Sequence, residues 1–203
     1  MMNSLLHLLL AYFLGAIPFG YLLPKLVTGK DVREYGSGNI GFTNVLRTFG
    51  PKLGIPVLIG DLAKGYLAVK LVQLTASWTY LPLVAAVVVA LGHNYTLFLG
   101  FKGGRGIATS AGAILALMPE VVGLLLLIWA TMLFLFRYVS LASITAALSF
   151  PVLVAVLGYS LPYIAFALLL GLLAVYRHRP NIQRLLAGKE LKLGQKGEKR
   201  NAK

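Results

Sequence analysis

Long apolar stretches dominate this chain and leave it few ways to fold. Seven can be marked, at 4–27, 53–74, 80–101, 106–118, 121–136, 139–157 and 161–176. A helix crossing the hydrocarbon core of a bilayer needs about 20 residues, within a range of about 17–25. The fourth, fifth and seventh stretches are short, so they are expected to borrow flanking residues or to be half-buried. Charge is scarce: 12% of residues are charged and 58% apolar, against roughly 25% and 45–50% in soluble domains. A 203-residue globule with that balance could not cover itself with polar surface. The expected fold class is therefore all-α, a polytopic integral membrane protein of about seven transmembrane helices. Disorder, a coiled coil and a secreted disulfide scaffold are excluded. The chain has no Cys, which removes disulfides, thiolate metal sites and any cysteinyl acyl intermediate. The first stretch lacks a charged start and runs into Pro24 and Lys25 rather than a cleavage site, so it reads as a span and not as a leader.

The charges give an orientation. Nineteen Lys and Arg stand against six Asp and Glu, a net +13. On a soluble protein that excess would suggest nucleic acid; here it is topological, and no nucleic-acid partner is expected. With the N-terminus outside and seven alternating helices, Lys25, Lys30, Arg33, Arg47, Lys52, Lys102, Arg105, Arg137, Arg177, Arg179 and the whole basic tail fall in the cytoplasm. None falls outside, and Lys64 and Lys70 lie within the second span. That is the asymmetry expected of cytoplasmic loops. A five-span alternative fuses 106–136 and 139–176, but the second of these is 38 residues, about 57 Å of helix against a core of about 30 Å. It would also move Arg137 outside. Residues 1–188 read as one transmembrane domain, and the Lys-rich 189–203 as a disordered cytoplasmic tail attracted to anionic lipid.

Three polar segments return to the cytoplasmic face. In 28–52, Gly36, Gly38 and Gly41 stand among Ser37, Asn39, Thr43 and Asn44, with Arg47 following. Glycines let a backbone curl so that its N–H groups point at one anion, and arginine offers a fork for phosphate or carboxylate. In 92–109, Lys102-Gly103-Gly104-Arg105-Gly106 precedes a helix start, another arrangement suited to an anion. It is not a Walker A loop. In 176–190, His178 and Asn181 share a helical face, and Pro180 suits the start of a new helix. His178 has a proton affinity suited to general acid–base work. Arg137, Ser140 and Ser143 recur every three residues at the start of the sixth span. His93 lies in the third span, where an interhelical hydrogen bond and a catalytic role are both open. Asp61 and Lys64, three apart inside the second span, are a functional candidate or a structural ion pair.

The segments G-S-G-N-I-G-F-T-N-V-L-R (36–47), G-H-N-Y-T-L-F-L-G-F-K-G-G-R-G-I-A-T (92–109) and H-R-P-N-I-Q-R-L-L-A-G-K-E (178–190) resemble the three signature motifs of the bacterial acyl-phosphate:glycerol-3-phosphate acyltransferase family (PlsY type). R-Y-V-S-L-A-S-I (137–144) and D-L-A-K-G (61–65) are similar to further family features. The resemblance implies transfer of a fatty acyl group from acyl-phosphate to glycerol 3-phosphate, giving 1-acylglycerol 3-phosphate and phosphate, the first acylation of phospholipid synthesis. It implies the bacterial cytoplasmic membrane, with the site facing the cytoplasm. It makes Ser37, Arg47, His178 and Asn181 essential and the 102–106 segment a phosphate binder. The chain departs from the family at Arg105, where Lys is common, at Phe42, where Ala is usual, and at Tyr95-Thr96, where Phe-Pro is usual.

On this reading Ser37, His178 and Asn181 are the catalytic candidates. The substrate and phosphate contacts are expected from Gly36, Gly38, Asn39, Gly41, Thr43, Asn44, Arg47, Lys102, Gly103, Gly104, Arg105, Gly106, Arg137, Ser140 and Ser143. The proton acceptor is His178 or a phosphate oxygen of the substrate; Ser37 is a nucleophile or a hydrogen-bond donor. No cofactor and no metal is expected, the only aspartates being Asp31 and Asp61. Partners are acyl-phosphate, glycerol 3-phosphate, membrane lipid and the soluble enzyme that makes acyl-phosphate. No H-x4-D pair exists, since Phe98 and Gln183 stand five residues after His93 and His178. The rival class is a transporter of phosphate or organophosphate, whose polar groups should gather in mid-membrane rather than at one face.

Overall fold

The structure, a computed structural model, describes residues 3–199. Its helices are α1 Ser4–Ala16, α2 Phe19–Thr28, α3 Phe42–Phe49, α4 Pro51–Thr75, α5 Leu81–Asn94, α6 Ile107–Leu117, α7 Pro119–Phe136, α8 Val139–Val156, α9 Leu161–Arg177 and α10 Arg179–Leu186. Short 3-10 turns lie at Val32–Glu34 and Leu97–Leu99. The first apolar stretch is interrupted at Ile17-Pro18, because proline supplies no N–H and disfavours helix in the residue before it. Together α1 and α2 still cover 25 residues.

Each fusion that a five-span chain would need is broken. Met118 leaves helical geometry at φ −147° just before Pro119 opens α7. Gly158 at φ 77° and Pro162 separate α8 from α9. Arg137 ends α7 in the left-handed region at φ 62°. Among the described residues, four segments are long and apolar enough to cross a membrane: Ser4–Thr28, Leu81–Leu99, Pro119–Phe136 and Val139–Val156. A fifth, α9, counts when taken with α10, from which it is bent by 56°. The 25-residue α4 has the length but carries Asp61 and Lys64, while the apolar α6 has only 11 residues, about 16 Å of helix.

Glycine brings the bundle core together. In lipid, helices associate through close packing rather than hydrophobic burial, so small residues mark the seams. A Cβ at Gly65 or Gly112 would collide with the carbonyls of Thr109 and Leu62, locking α4 against α6. Gly15 and Gly92 do the same for α1 and α5 against Val89 and Tyr12. The Tyr12 hydroxyl donates to the Tyr95 carbonyl at 2.8 Å and Thr96 Oγ1 to the Ala16 carbonyl at 2.6 Å, pinning the segment after α5 to the end of α1.

Residues 189–199 were expected to be a solvated tail; instead they return over the 28–52 segment. Gly36 N–H donates to the Glu198 carbonyl at 2.8 Å, and Leu193 N–H to the Arg137 carbonyl at 2.7 Å. Tyr35 and Lys199 form an antiparallel bridge. The half-buried backbone of the 35–38 loop and the carbonyl of Arg137 in the α7–α8 turn offer partners that composition does not reveal. Residues 200–203 of the expected tail lie outside the described residues.

Candidate active site

The N-terminal turns of α3 and α6 open into one cavity. A helix start leaves N–H groups without intrahelical partners and carries partial positive charge. Gly41, Phe42, Thr43 and Asn44 from α3 and Gly106, Ile107 and Ala108 from α6 line an inner cavity of about 340 Å³. Arg47, Arg105, Ser140, His178 and Glu190 complete its polar end, and Asp61 and His93 stand on its wall. Its other end is apolar: Leu125, Leu126, Trp129, Phe150 and Leu170. An outer cavity of about 590 Å³ is polar, lined by Ser37, Gly38, Asn39, Tyr95, Gly104, Arg105, Arg177, Arg179, Gln183 and Arg184. Asn39 and Arg105 belong to both.

The glycine-rich segments build these walls by spending backbone groups internally. Gly103 and Gly104 donate N–H to the carbonyls of Asn94 and His93 at 3.2 and 3.1 Å. Their own carbonyls accept from the Arg177 guanidinium, at 3.2 Å for Gly103 and as close as 2.9 Å for Gly104. Ser37 N–H donates to Asn44 Oδ1 at 2.9 Å, and Gly38 N–H to the Tyr35 carbonyl at 2.9 Å. The Asn44 amide donates to the carbonyls of Val32, Tyr35 and Asn39 at 3.3, 3.1 and 2.9 Å. Asn44 is therefore the hub that shapes the 32–39 loop, and its side chain is fully committed there. The donors left for a ligand are the first turns of α3 and α6, not the glycine N–H groups at 36, 38, 103 and 104.

Arginines dominate the electrostatics. Burial and the charges of Arg184, Arg47 and Arg177 lower Arg105 to about 10, with Glu190 opposing. Burial, and then Arg184, also lower Arg47. Such crowding is relieved when an anion arrives. Among the described residues, Glu190 is the acid whose charge offsets these arginines. It accepts from Ser140 Oγ at 2.7 Å, Asn181 Nδ2 at 2.6 Å and Arg184 Nε at 2.6 Å. Burial pushes its carboxyl up, but these hydrogen bonds and the Arg184 charge prevail and hold it below the usual carboxylate range.

His178 sits at the break between α9 and α10. Its Nδ1 bonds the Ala174 carbonyl at 2.7 Å, so Nδ1 carries the proton and Nε2 is the acceptor. Burial, then the Arg105 charge, lower it from 6.5 to about 4. It is neutral at pH 7. Between pH 6.5 and about 4 the unfolded chain takes up this proton first, so His178 contributes stability above 6.5 that is lost as pH falls through the window. His178→Gln cannot take up that proton. The gap in melting temperature between wild type and this variant should therefore narrow as detergent-solubilised protein is taken from pH 6.5 to 4.

The structure gathers most but not all of the expected residues. Asn39, Gly41, Thr43, Asn44, Arg47, Arg105, Gly106, Ser140, Ser143 and His178 line the inner cavity, and Ser37, Gly38 and Gly104 the outer. Asn181 lines neither; its Nδ2 donates to Glu190, while its buried Oδ1 has no partner among the described residues. Ser143 is also committed, donating to the Val139 carbonyl at 2.9 Å and accepting from Trp129 Nε1 at 3.1 Å. Gly36, Lys102, Gly103 and Arg137 line neither cavity. Arg137 is exposed, because the left-handed cap of α7 turns it away from the face it was expected to share with Ser140 and Ser143. Lys102 is exposed as well. Residues that the motif reading left unassigned are Glu190, Arg177 and Arg184. The signal for Glu190 was present, an acid among few acids at the end of a basic motif. Nothing in the spacing of Arg177 pointed to the glycine carbonyls it clasps.

The family model for glycerol-3-phosphate acyltransferase matches residues 5–188. Among curated relatives, a glycerol-3-phosphate acyltransferase of Syntrophomonas wolfei is 46% identical over 93% of this chain and 96% of its own. One of Desulforamulus reducens is 47% identical over 92% and 93%. A crystal structure of PlsY (YgiH), an integral membrane glycerol 3-phosphate acyltransferase in its glycerol 3-phosphate form, is similar with a TM-score of 0.90 and 40% identity. That similarity covers 94% of this chain and 96% of the other. The lysophosphatidic acid form of PlsY gives 0.85 and 39%, over 94% and 95%.

Proposed function

The chain belongs to the glycerol-3-phosphate acyltransferase family and is an integral membrane acyltransferase, and we propose that its donor is an acyl-phosphate. The observation that carries this reading is the pair of cavities that share Asn39 and Arg105 in their walls. The inner one offers an apolar end for a fatty chain and a polar end of arginines and helix starts for a phosphate. The outer one, with Arg177, Arg179 and Arg184 on its wall, admits glycerol 3-phosphate from the water.

Transfer then needs alignment more than chemical activation, because an acyl-phosphate is a mixed anhydride. The glycerol hydroxyl oxygen forms a bond to the acyl carbon, the carbon–oxygen bond to phosphate breaks, and phosphate leaves. Arg47, Arg105 and the N–H groups opening α3 and α6 hold the phosphate and the developing oxyanion. A His178 lowered to about 4 is a weak proton acceptor at neutral pH, so a phosphate oxygen of the donor takes the hydroxyl proton and departs with it. His178 Nε2 accepts from the other glycerol hydroxyl and so orients the acceptor molecule. Asn181 acts through Glu190. Ser37 serves as a donor at the outer cavity; it is not on the inner wall with His178, which argues against an activated nucleophile.

The product would be 1-acylglycerol 3-phosphate, and the soluble enzyme that forms acyl-phosphate would deliver the donor from the cytoplasm. Seven spans with an external N-terminus put every motif cation on the cytoplasmic face of the inner membrane. A transporter is disfavoured by polar groups that gather at one end of the inner cavity rather than through its length. The test is purified protein assayed with palmitoyl-phosphate and with palmitoyl-CoA in the same lipid, with EDTA present. Turnover with the phosphate, product inhibition by inorganic phosphate and no acyl group on Ser37 by mass spectrometry are expected. Faster turnover with palmitoyl-CoA, loss of activity in EDTA, or an acylated Ser37 would refute the reading.

A further inference from the structure

Three side chains buried in the bundle have no part in the chemistry above: Asp61 and Lys64 on α4 and His93 near the end of α5. Lys64 Nζ hydrogen-bonds the Ile17 carbonyl at 2.7 Å and His93 Nδ1 at 2.9 Å, and it forms an ion pair with Asp61 Oδ1 at 2.8 Å. An ammonium has no lone pair, so His93 Nδ1 is the acceptor in that contact and carries no proton. The Thr109 hydroxyl, 3.2 Å from the same nitrogen, is a second donor to it. The approach of His93 Nδ1 to Asp61 Oδ1 at 3.5 Å is then no ion pair. Both atoms present lone pairs, and Lys64 bridges them. The single proton of the imidazole is on Nε2.

That nitrogen lies at the functional end of the molecule. It abuts Gly104, where a Cβ would collide with it, and Gly104 is the neighbour of Arg105. His93 lines the inner cavity together with Arg105, Gly106 and Ile107. Among the described residues Nε2–H has no hydrogen-bond acceptor, while Nδ1 has two donors. A donor held rigidly at a cavity wall without an acceptor is completed by a ligand that brings one.

We propose that His93, locked as the Nε2–H tautomer by Lys64 and Asp61, is a further catalytic residue that donates a hydrogen bond to the acyl-phosphate head beside Arg105. Lys64 and Asp61 are positioning residues: the ammonium forbids a proton on Nδ1, and the carboxylate keeps the ammonium charged and in place. The assignment rests on the reading that the inner cavity receives the acyl-phosphate.

The test uses full-length protein in lipid nanodiscs. The 15N spectrum of its imidazoles, assigned with single-histidine variants, should give His93 a protonated Nε2 and a bare Nδ1 from pH 6 to 8. Adding an unreactive palmitoyl phosphonate should shift the Nε2 signal. His93→Phe should lower kcat/KM for palmitoyl-phosphate about 10–150-fold, the range of one lost hydrogen bond to a charged group. Its KM for glycerol 3-phosphate should stay within about threefold of wild type, under one half of a tenfold step in free energy. His93→Gln, which keeps a donor, should recover much of the loss. An imidazolium or an Nδ1-protonated spectrum, no response to the phosphonate, wild-type kinetics in His93→Phe, or a defect confined to glycerol 3-phosphate would each overturn the proposal. If His93→Phe fails to fold, the spectrum and the phosphonate response of wild type decide it. Wild type that uses palmitoyl-CoA but not palmitoyl-phosphate would instead refute the donor assignment, while the spectrum still reports the tautomer.

Discussion

Glu190→Ala is expected to destabilise the protein by about 3–5 kcal/mol, the cost of removing one partner from a buried charged cluster. The carboxylate is 9% exposed and accepts from Ser140, Asn181 and Arg184. Without it those three donors are stranded, and Arg47, Arg105 and Arg184 repel one another with no countercharge. Against a total stability of about 5–15 kcal/mol, that loss should be visible as a lower melting temperature in detergent and lower membrane yield. Glu190→Gln keeps an acceptor oxygen but loses the charge, so it should fall between the two. Because the carboxyl is held below its ordinary range, its stabilising contribution is present above about pH 4.5 and is lost as pH falls through the lower folded value. A Glu190→Ala protein that melts with wild type would mean that the arginines find other partners and that Glu190 does not organise the site.

Arg105→Ala should leave folding intact and remove activity. The side chain stands where the two cavities meet. Burial and neighbouring arginines lower its pKa to about 10, so it stays charged at neutral pH in an unfavourable setting, and truncating it relieves that repulsion. The expected cost is therefore in catalysis, not stability. A hydrogen bond to a charged group is worth about 1.5–3 kcal/mol, or about 10–150-fold in kcat/KM at 1.4 kcal/mol per decade. Arg105→Lys should be mild, since a point charge still meets the phosphate, although the fork geometry is lost. Steady-state kinetics with each substrate varied in turn would check this. Wild-type kcat/KM in Arg105→Ala would remove Arg105 from phosphate binding and break the link proposed between the cavities.

How far the sequence carried the reading depends on the kind of interaction. Periodicity-free apolar stretches of span length announce themselves, because lipid tolerates little else. The breaks at Met118-Pro119 and Gly158 were legible too, since proline and glycine act on their immediate neighbours, whereas the break at Pro18 was not read and 4–27 was taken as one span. Ser37, Arg47, Arg105 and His178 were found through contiguous motifs, and each lines a cavity. Arg137 was misplaced because its spacing to Ser140 and Ser143 presumed one continuous helix, and a left-handed cap intervenes. Lys102 looked equivalent to Arg105 three residues on; the turn between them puts one in solvent and the other between two cavities.

The sequence by itself determined the solvent in which this protein folds, the all-helical class, and the family whose reaction it performs. Each depends on composition or on residues close together in the chain. Only the tertiary structure decided which polar groups are free to meet a substrate. Asn44, Ser143, the Asn181 Nδ2 and the N–H groups of Gly103 and Gly104 are of the right chemical type, yet all are engaged by internal partners. Glu190 reaches Ser140 across fifty positions, and Arg177 reaches Gly104 across seventy-three. A hydrogen-bonding group acts on a ligand only when the fold leaves it unpaired, and pairing at such separations is set by how the helices pack, not by the order of residues along them.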